Sequence, residues 1–246
     1  MGGALATTLA QSGPVIPTFG GGDRCIRANG EFCLHWFLTN FSSRFLPRLG
    51  EHVEMTLIAI AIGFVIALLT ALMTYRFAVL EWPFANLWAL LYTIPALALF
   101  QIMVPVTGLG LLSVEIALVS YTLLFLFRNI LTGLREVPVE MKDAAAGMGL
   151  TRSQTLLRIE LPVALPAIIA GLRVATVTTI SLATIAAYIT PLGLGAPILS
   201  AIQSGSNTEL VGGGLLAILL AFAADALILT IQWLATPWLR ARRRGT

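Results

Sequence analysis

Residues 143–162 read DAAAGMGLTRSQTLLRIELP and form a charged, helix-prone segment between two runs of apolar residues. Each neighbouring run is long enough to cross a bilayer, which takes roughly 20 apolar residues. The surrounding stretch, residues 135–160, holds eight charged residues in 26 positions. A membrane protein with one large structured loop usually has a partner that docks there. The segment therefore predicts a membrane fold with a docking surface on one side.

The loop predicts a first short helix. Pro138 suits the first turn of a helix, because its missing N–H is not needed there. Three apolar residues at i, i+4 and i+7 share one face of that helix: Met141, Ala145 and Met148. Gly147 and Gly149 are expected to end it.

A second short helix is predicted directly afterwards. Thr151 and Gln154 have the spacing of a capping box, which satisfies free N–H groups at a helix start. Three residues give this helix an apolar side: Leu156, Leu157 and Ile159. Pro162 is expected to end it. Two helices joined at glycines form a compact hairpin that fits a cleft on another protein; the alternative is an amphipathic loop lying on the bilayer.

Composition places the chain in a membrane. Of its 246 residues, 57% are hydrophobic and 11% are charged, whereas soluble domains carry roughly 25% charged residues. There is no Gly-Lys pair, so a phosphate-binding P-loop is excluded. The two histidines, His35 and His52, exclude an HExxH zinc site and an intramembrane Ser–His pair, and no metal site is predicted. No basic residue precedes Arg24, so no signal peptide is expected.

Apolar runs predict five transmembrane helices. The expected spans are 53–74, 84–106, 111–133, 163–188 and 212–236. Four small residues recur every fourth position in the first span and would allow close helix approach, although alanine is also simply common in bilayer helices: Ala59, Gly63, Ala67 and Ala71. Residues 31–48 are too short and too polar to span, and their aromatic residues and arginines favour an interfacial helix.

Charge orients the predicted bundle. One side of a five-span arrangement collects the basic residues Arg76, Arg135, Lys142, Arg152, Arg158, Arg240, Arg242, Arg243 and Arg244. The two loops on the other side carry none. The basic side is therefore expected in the cytoplasm together with the C-terminus, and the N-terminus outside. Four N-terminal arginines oppose this orientation: Arg24, Arg27, Arg44 and Arg48.

The loop resembles a known family motif. The "EAA" loop of type I ABC importer permeases reads acidic-Ala-Ala, three residues, Gly, nine residues, Ile, one residue, Leu-Pro. The matching residues here are Asp143, Ala144, Ala145, Gly149, Ile159, Leu161 and Pro162. Asp143 stands where the family usually has Glu. These residues and the capping Thr151 are the predicted ATPase-coupling residues.

Weaker motifs between about residues 50 and 235 resemble the permeases of osmoprotectant importers. They include Tyr92-Thr-Ile-Pro95, Tyr121, Arg128-Asn129, Ala170-Gly171-Leu-Arg173, Leu192-Gly-Leu-Gly195 and Asp225. One departure is Tyr188-Ile-Thr-Pro191, where relatives tend to have Ile-Gly-Ala-Gly.

The resemblance implies an all-α integral membrane protein with a type I ABC importer permease bundle. The expected organisation is an external tail and interfacial helix over 1–50, a permease domain over 51–240 with the cytoplasmic coupling loop 135–162, and a basic tail over 241–246. It also implies an inner-membrane location, a second permease subunit, a cytoplasmic ATPase dimer that binds ATP and Mg, and an external solute-binding protein. The chain itself would hold no cofactor, carry no ATPase site and bind no nucleic acid.

Candidate path residues come from polar groups and aromatics within the spans. The full set is Tyr92, Pro95, Tyr121, Thr176, Thr179 and Asp225. The threonine hydroxyls either face the path or bond back to the carbonyl four residues earlier. A carboxylate in mid-span is costly, so Asp225 needs a partner, and Arg173 or Glu115 could supply the contact.

Cys25 and Cys33 would lie outside, where an oxidising environment permits a disulfide, and two free thiols are the alternative. The expected cargo is a small osmoprotectant such as glycine betaine, choline, carnitine or proline. The alternatives are another small solute, such as methionine or a sulfonate, and a stand-alone secondary transporter. The last would require inverted repeats, and the sequence shows none.

Overall fold

The computed structural model describes residues 25, 26, 29 and 32–237, and every regular element within them is helical. The helices are α1 (Leu34–Asn40), α2 (Leu46–Arg76), α3 (Glu81–Thr93), α4 (Ala96–Thr107), α5 (Leu111–Arg135), α6 (Val139–Gly147), α7 (Arg152–Thr155), α8 (Leu161–Ile185), α9 (Gly195–Ser204) and α10 (Asn207–Ala235). The predicted all-α membrane fold is confirmed. Most of the predicted N-terminal tail and the basic tail 241–246 lie outside the described residues.

Five segments are long and apolar enough to cross a membrane, if the bent pair α3–α4 is taken as one span. In chain order these spans are Leu34–Arg76, the pair Ala78–Thr93 and Ala96–Thr107, Leu111–Arg135, Arg152–Tyr188, and Asn207–Ala235. They are called the first to fifth spans below.

The first span is longer than expected. The sequence suggested a separate interfacial helix over 31–48, but a π-helical turn, Phe41–Phe45, joins α1 directly to α2. Phe37 and Phe45 are buried, and a Cβ on Gly212 of the fifth span would meet both rings. This stretch therefore packs against another span and continues the helix. The expected domain boundary at residue 50 falls inside α2.

The second span is broken. The sequence suggested one helix over 84–106, but α3 and α4 meet at an angle of 99°. Ile94 has ψ 129° and Pro95 has ψ 133°, both outside the helical region. The proline ring clashes with a helical residue before it, which forces this extended geometry. The Tyr121 hydroxyl donates a hydrogen bond to the Ile94 carbonyl and so satisfies a backbone group that the break leaves free.

The third span is the centre of the bundle. Two thirds of its most apolar stretch is buried inside the molecule, against none for the fifth span. It packs against the first and fourth spans and against both halves of the second. Two apolar clusters follow its length, one around Phe100 and Leu118 and the other around Phe127 and Leu134. The first, second and fourth spans are therefore positioned by contact with α5.

Small residues set the close helix contacts. All four members of the predicted stripe, Ala59, Gly63, Ala67 and Ala71, are buried. A Cβ on Gly63 would lie 1.9 Å from Thr122 Oγ1 of the third span. A Cβ on Gly171 would lie 2.6 Å from the Asn129 Cβ, so the third and fourth spans also touch at a glycine. The stripe therefore serves close packing, as expected for membrane helices.

The two ends of the bundle carry different polar contacts. One end is called the cysteine end, because Cys25 and Cys33 lie there. At this end Arg48 bonds Glu51 at 2.9 Å and the Pro191 carbonyl at 2.6 Å. At the opposite end, called the loop end, Arg135 makes two 2.7 Å bonds to Glu81. The connection 189–211 lies at the cysteine end and the loop 135–162 at the loop end.

The fourth span passes through Pro162. The sequence suggested that this proline ends the second loop helix, but α7, a π-helical turn (Leu156–Glu160) and α8 form one continuous helix. Pro162 cannot donate to a carbonyl and its ring crowds the preceding turn. In the wider π turn, Leu161 N–H donates to the carbonyl of Leu156, five residues earlier. The wider turn precedes the proline directly and lets the helix continue.

Candidate functional site

The loop end presents a helical hairpin. Helix α6 starts after Pro138 and ends at Gly147, and Gly149 then takes the left-handed conformation with φ +76°. Thr151 begins α7 with the predicted capping box: its hydroxyl accepts from Gln154 N–H at 3.3 Å, and its own N–H donates to Gln154 Oε1 at 2.8 Å. The turn between α6 and α7 is thus fixed by one glycine and one cap.

The exposed side of α6 carries the acidic end of the motif. Asp143 and Ala144 are exposed, whereas Ala145 is fully buried. Met148 is 68% exposed beyond the end of this helix. The residues of the predicted apolar face therefore separate, because Ala145 packs inward and Met148 is exposed on the surface. Ile159, Leu161 and Pro162 are half-buried where the fourth span begins.

Side chains fasten the hairpin to the spans. Lys142 Nζ lies 2.9 Å from the Tyr75 hydroxyl, and its ammonium is 5.4 Å from the centroid of that ring. The Arg135–Glu81 pair joins the end of the third span to the start of α3. Helix α6 is therefore attached to the first span through Lys142 and to the third span through the chain. No sequence pattern singled out Tyr75 and Glu81, although each stands next to a helix end.

A groove of about 910 Å³ lies between the fourth and fifth spans. Its size is within the range of roughly 300–1,000 Å³ that is usual for small-molecule sites. Thr184 and Gly214 lie toward the cysteine end of the groove, and Arg173 and Asp225 lie farther from that end. Eleven residues of α8 separate Thr184 from Arg173, which corresponds to roughly 16 Å of helix.

A bidentate ion pair lies deep in the groove. Arg173 Nε is 2.7 Å from Asp225 Oδ1, and Nη2 is 2.9 Å from Oδ2. Both side chains keep about a third of their surface, at 32% and 28%. Of the two partners proposed for Asp225, the structure pairs it with Arg173. Glu115 is instead 7% exposed, and neither of its carboxylate oxygens has a hydrogen-bond partner among the described residues.

Neither of the two threonines in the predicted path set lines the groove. Thr176 and Thr179 are buried and donate to the carbonyls of Leu172 and Ala175, both at 2.8 Å. This is the back-bonded alternative. The groove is lined instead by three other hydroxyl residues of the fourth span: Thr178, Ser181 and Thr184. Sequence alone did not show which face of α8 would meet the fifth span.

Three other candidate path residues gather at the break in the second span. The Tyr92 and Tyr121 rings meet edge to face with centroids 5.8 Å apart, and Pro95 makes the break itself. Tyr121 is 4% exposed, and its hydroxyl donates a hydrogen bond to the Ile94 carbonyl. This cluster lies outside the groove that holds Asp225. The predicted path residues therefore do not share one site: three lie at the break, Asp225 lies in the groove, and the two threonines lie in neither.

The cysteine end is held by a disulfide and a buried histidine. Cys25 and Cys33 are joined, which resolves the alternatives left open by the sequence. His52 is fully buried; its Nδ1 accepts from Leu194 N–H at 3.2 Å, and its Nε2 lies 3.0 Å from the Ile180 carbonyl. Nδ1 must be unprotonated to accept, so Nε2 carries the hydrogen and the ring is neutral. Nothing in the sequence pointed to this role, because both partners are backbone groups.

Three features of the described residues bear on function. Within the described residues, no group of three or more His, Cys, Asp or Glu side chains is placed to hold a metal ion. What the molecule offers is an exposed helical hairpin, a groove between two spans, and ties between the hairpin and the spans.

Comparison with known proteins agrees with this arrangement. Osmoprotectant import permease protein OsmW of Salmonella typhimurium is 33% identical over 210 residues, which cover 83% of this chain and 97% of the relative. The glycine betaine/carnitine/choline transport system permease protein OpuCB of Bacillus subtilis is 30% identical over 206 residues, or 82% of this chain and 93% of the relative.

A solved structure shares the fold. The inward-facing MetNI methionine ABC transporter has a chain that matches with a TM-score of 0.63 and 22% identity, over 78% of this chain and 93% of that chain. The family model described as "Binding-protein-dependent transport system inner membrane component" matches residues 59–241. The resemblance first noticed in the loop is thereby confirmed, and the chain belongs to this family of multi-pass inner-membrane permeases.

Proposed function

We propose that the chain is the permease subunit of an ATP-driven importer for a compact osmoprotectant such as glycine betaine, choline, carnitine or proline. The observation that carries the proposal is the exposed helical hairpin at the loop end. Its acidic-Ala-Ala start, left-handed Gly149 and capped second helix give a rigid, thin surface suited to a cleft. The names of the relatives support the choice of cargo.

The hairpin would dock on a cytoplasmic ATPase that binds ATP and Mg. Two permease subunits, identical or homologous, would each offer one hairpin to an ATPase dimer. When ATP brings the two ATPases together, each hairpin moves with its partner. The ties through Lys142 and Arg135 would carry that movement to the first and third spans. An external solute-binding protein would deliver the cargo at the cysteine end.

The groove between the fourth and fifth spans has a chemistry that suits this cargo. Its ion pair is neutral overall but offers a carboxylate and a guanidinium, so a zwitterion can approach both charges. Phe222 lines the groove and is 70% exposed. An aromatic face attracts a quaternary ammonium by cation–π contact. Three hydroxyls complete a lining that is otherwise aliphatic.

Uptake by the complete transporter tests the proposal. The chain would be reconstituted in liposomes with its ATPase and solute-binding protein, and supplied with labelled betaine, choline, carnitine, proline, methionine and a sulfonate. We expect ATP-dependent uptake of at least one of the first four. Uptake of methionine or the sulfonate alone would overturn the cargo and leave the importer. Uptake without ATP would overturn the importer itself.

A variant pair tests the groove. Phe222→Leu keeps an apolar side chain and removes the ring, so we expect the KM for choline or betaine to rise several-fold with little change in kcat. Trp233→Leu, on the same helix but outside the groove lining, is the matched control and should leave the KM unchanged. An unchanged KM in Phe222→Leu would show that the cargo does not use this groove.

A further inference from the structure

Residues near the N-terminus hold the start of the fifth span. Asn29 lies between the two bonded cysteines and adopts the left-handed conformation with φ 46°. Its Oδ1 accepts from Asn207 N–H at 2.9 Å, and its backbone carbonyl accepts from Asn207 Nδ2 at 2.6 Å. Its own Nδ2 donates to the Gly205 carbonyl. One side chain thus bridges the turn that leads into α10.

These bonds replace a cap that the helix lacks. The first N–H groups of a helix have no partner within it, and a residue at the N-cap usually supplies one. Ser206 occupies that position in α10 and makes no side-chain capping bond. Asn29 supplies the acceptor for Asn207 instead, from a segment 178 residues earlier in the chain. The Thr208 hydroxyl in turn accepts from Cys33 N–H at 3.1 Å.

Neighbouring contacts extend the same attachment into the bilayer. Arg44 of the first span forms an ion pair with Glu209, which is buried. One turn further, Gly212 leaves room for the Phe37 ring, because a Cβ there would come within 2.8 Å of it. Gly214 follows two residues later and already lines the groove. The attachment is therefore continuous from the disulfide to the mouth of the groove.

We propose that the disulfide-closed segment Cys25–Cys33 is a thiol-sensitive clamp that fixes the start of the fifth span and so the width of the groove. The disulfide keeps Asn29 over Asn207, and its loss frees the segment to leave the turn. An external dithiol releases the clamp: two electrons and two protons pass to the cysteine sulfurs, giving two thiols, and the dithiol becomes a cyclic disulfide. The inference does not depend on the cargo, since it concerns the position of one helix.

Amide hydrogen exchange on the full chain in lipid nanodiscs tests the clamp. Dithiothreitol would be added to folded wild-type protein, and thiol formation confirmed by maleimide mass shift. We expect amides of residues 207–210 to exchange about five- to ten-fold faster after reduction, as after loss of a helix cap. Amides of the third span should not change. Equal exchange at 207–210 in the oxidised and reduced proteins would overturn the proposal.

Variants separate the clamp from general folding. Asn29→Gly keeps the backbone conformation and removes the side chain, so the oxidised variant should show the same faster exchange at 207–210. Gln203→Ala, on the exposed surface of neighbouring α9, is the matched control and should behave like wild type.

Groove width is read with an added cysteine. Because Cys25 and Cys33 are bonded, a maleimide reacts only with Ala221→Cys in the oxidised protein. With the native pair also changed to serine, we expect Ala221→Cys to react several-fold faster. A cysteine at exposed Ser153 should react equally fast in both backgrounds. No difference at position 221 would show that the segment does not set the groove.

Discussion

Two acidic side chains inside the spans have very different surroundings. Asp225 has a bidentate arginine partner and lies against the groove. Glu115 is buried at the start of the third span, and its carboxylate has no hydrogen-bond partner within the described part of the chain; its charged neighbour is another carboxylate, Glu54. A buried polar group without a partner costs free energy of folding. Asp225 is therefore a satisfied group and Glu115 a source of instability.

Replacing Glu115 should stabilise the protein. Glu115→Met has a similar length, removes both unpaired oxygens and suits the apolar cluster around it. We expect the free energy of unfolding to rise by about 1–3 kcal/mol, the usual cost of an unsatisfied buried group. Thermal unfolding of the purified chain followed by tryptophan fluorescence measures this. Glu140→Met, at an exposed position away from Glu115, serves as the control, and a lower Tm in Glu115→Met would contradict the prediction.

The sequence identified candidate residues more reliably than it identified the contacts of those residues. The charge of Asp225 in mid-span called for a partner, and Arg173 was among those named. The orientation of the threonines could not be derived, because a hydroxyl bonds equally well to its own helix or to a ligand. His52 was invisible for a related reason: its partners, Leu194 N–H and the Ile180 carbonyl, are backbone groups that any sequence provides.

At the scale of elements, single residues decide where helices meet and where they end. Pro95 breaks the second span, while Pro162 lies within a continuous fourth span. Both prolines were visible in the sequence, but their opposite outcomes were not. At Pro95, the Tyr121 hydroxyl bonds the Ile94 carbonyl that the break leaves free. At Pro162, a local π turn allows the helix to continue. Tertiary contacts and local winding, which sequence patterns do not show, made the difference.

The contact between the first and third spans should be sensitive to one methyl group. Gly63→Ala places a Cβ 1.9 Å from Thr122 Oγ1, so either Thr122 gives up its bond to the Val119 carbonyl or the helices separate. We expect a loss of about 1–3 kcal/mol in the free energy of unfolding, which is typical of overpacking. Gly50→Ala is the control, since a Cβ there meets nothing within 4 Å. The second change Thr122→Ala should restore most of the loss; without such a rescue, the clash is not the cause.

The hairpin should lose its coupling when its turn or its charge is changed. Gly149→Val puts a β-branched residue at φ +76°, and Asp143→Lys reverses an exposed charge of the docking surface. We expect either variant to abolish ATP-coupled uptake while the protein still inserts in the membrane. Uptake and the amount in the membrane fraction would be measured together.

Gly147→Ala is the matched control for the hairpin. Gly147 closes α6 without a positive φ and has open space around it, so uptake should stay near wild type. Wild-type uptake and ATPase association in Gly149→Val or Asp143→Lys would show that this loop is not the coupling element.

For the whole molecule, the polar features of the described residues divide between the two ends of the bundle. The cysteine end holds the disulfide and the connection 189–211, and the loop end holds the hairpin. The basic residues of the described part favour the loop end on the cytoplasmic side, by the positive-inside rule. The sequence predicted that the loop 135–162 and the connection 189–211 lie at opposite ends, because hydropathy acts over whole segments and does not depend on exact contacts. The cytoplasmic location of the loop end stays a prediction.

Labelling in intact cells should reveal this orientation. After mild reduction, a membrane-impermeant maleimide is expected to label Cys25 and Cys33. In a variant with both changed to serine, an added cysteine at Ser153 should react only after the membrane is permeabilised. Protection of the native pair in intact cells, together with labelling at position 153, would reverse the assigned orientation.

The contact between Lys142 and Tyr75 has a practical consequence, because Lys142 is the only lysine in the chain. Its ammonium is the only side-chain primary amine, and it lies on the hairpin between the docking surface and the first span. An amine-reactive fluorophore would therefore attach to the unmutated protein at one known side chain. Its emission would follow the hairpin through each round of ATP hydrolysis, so the protein carries its own attachment point for optical recording of coupling.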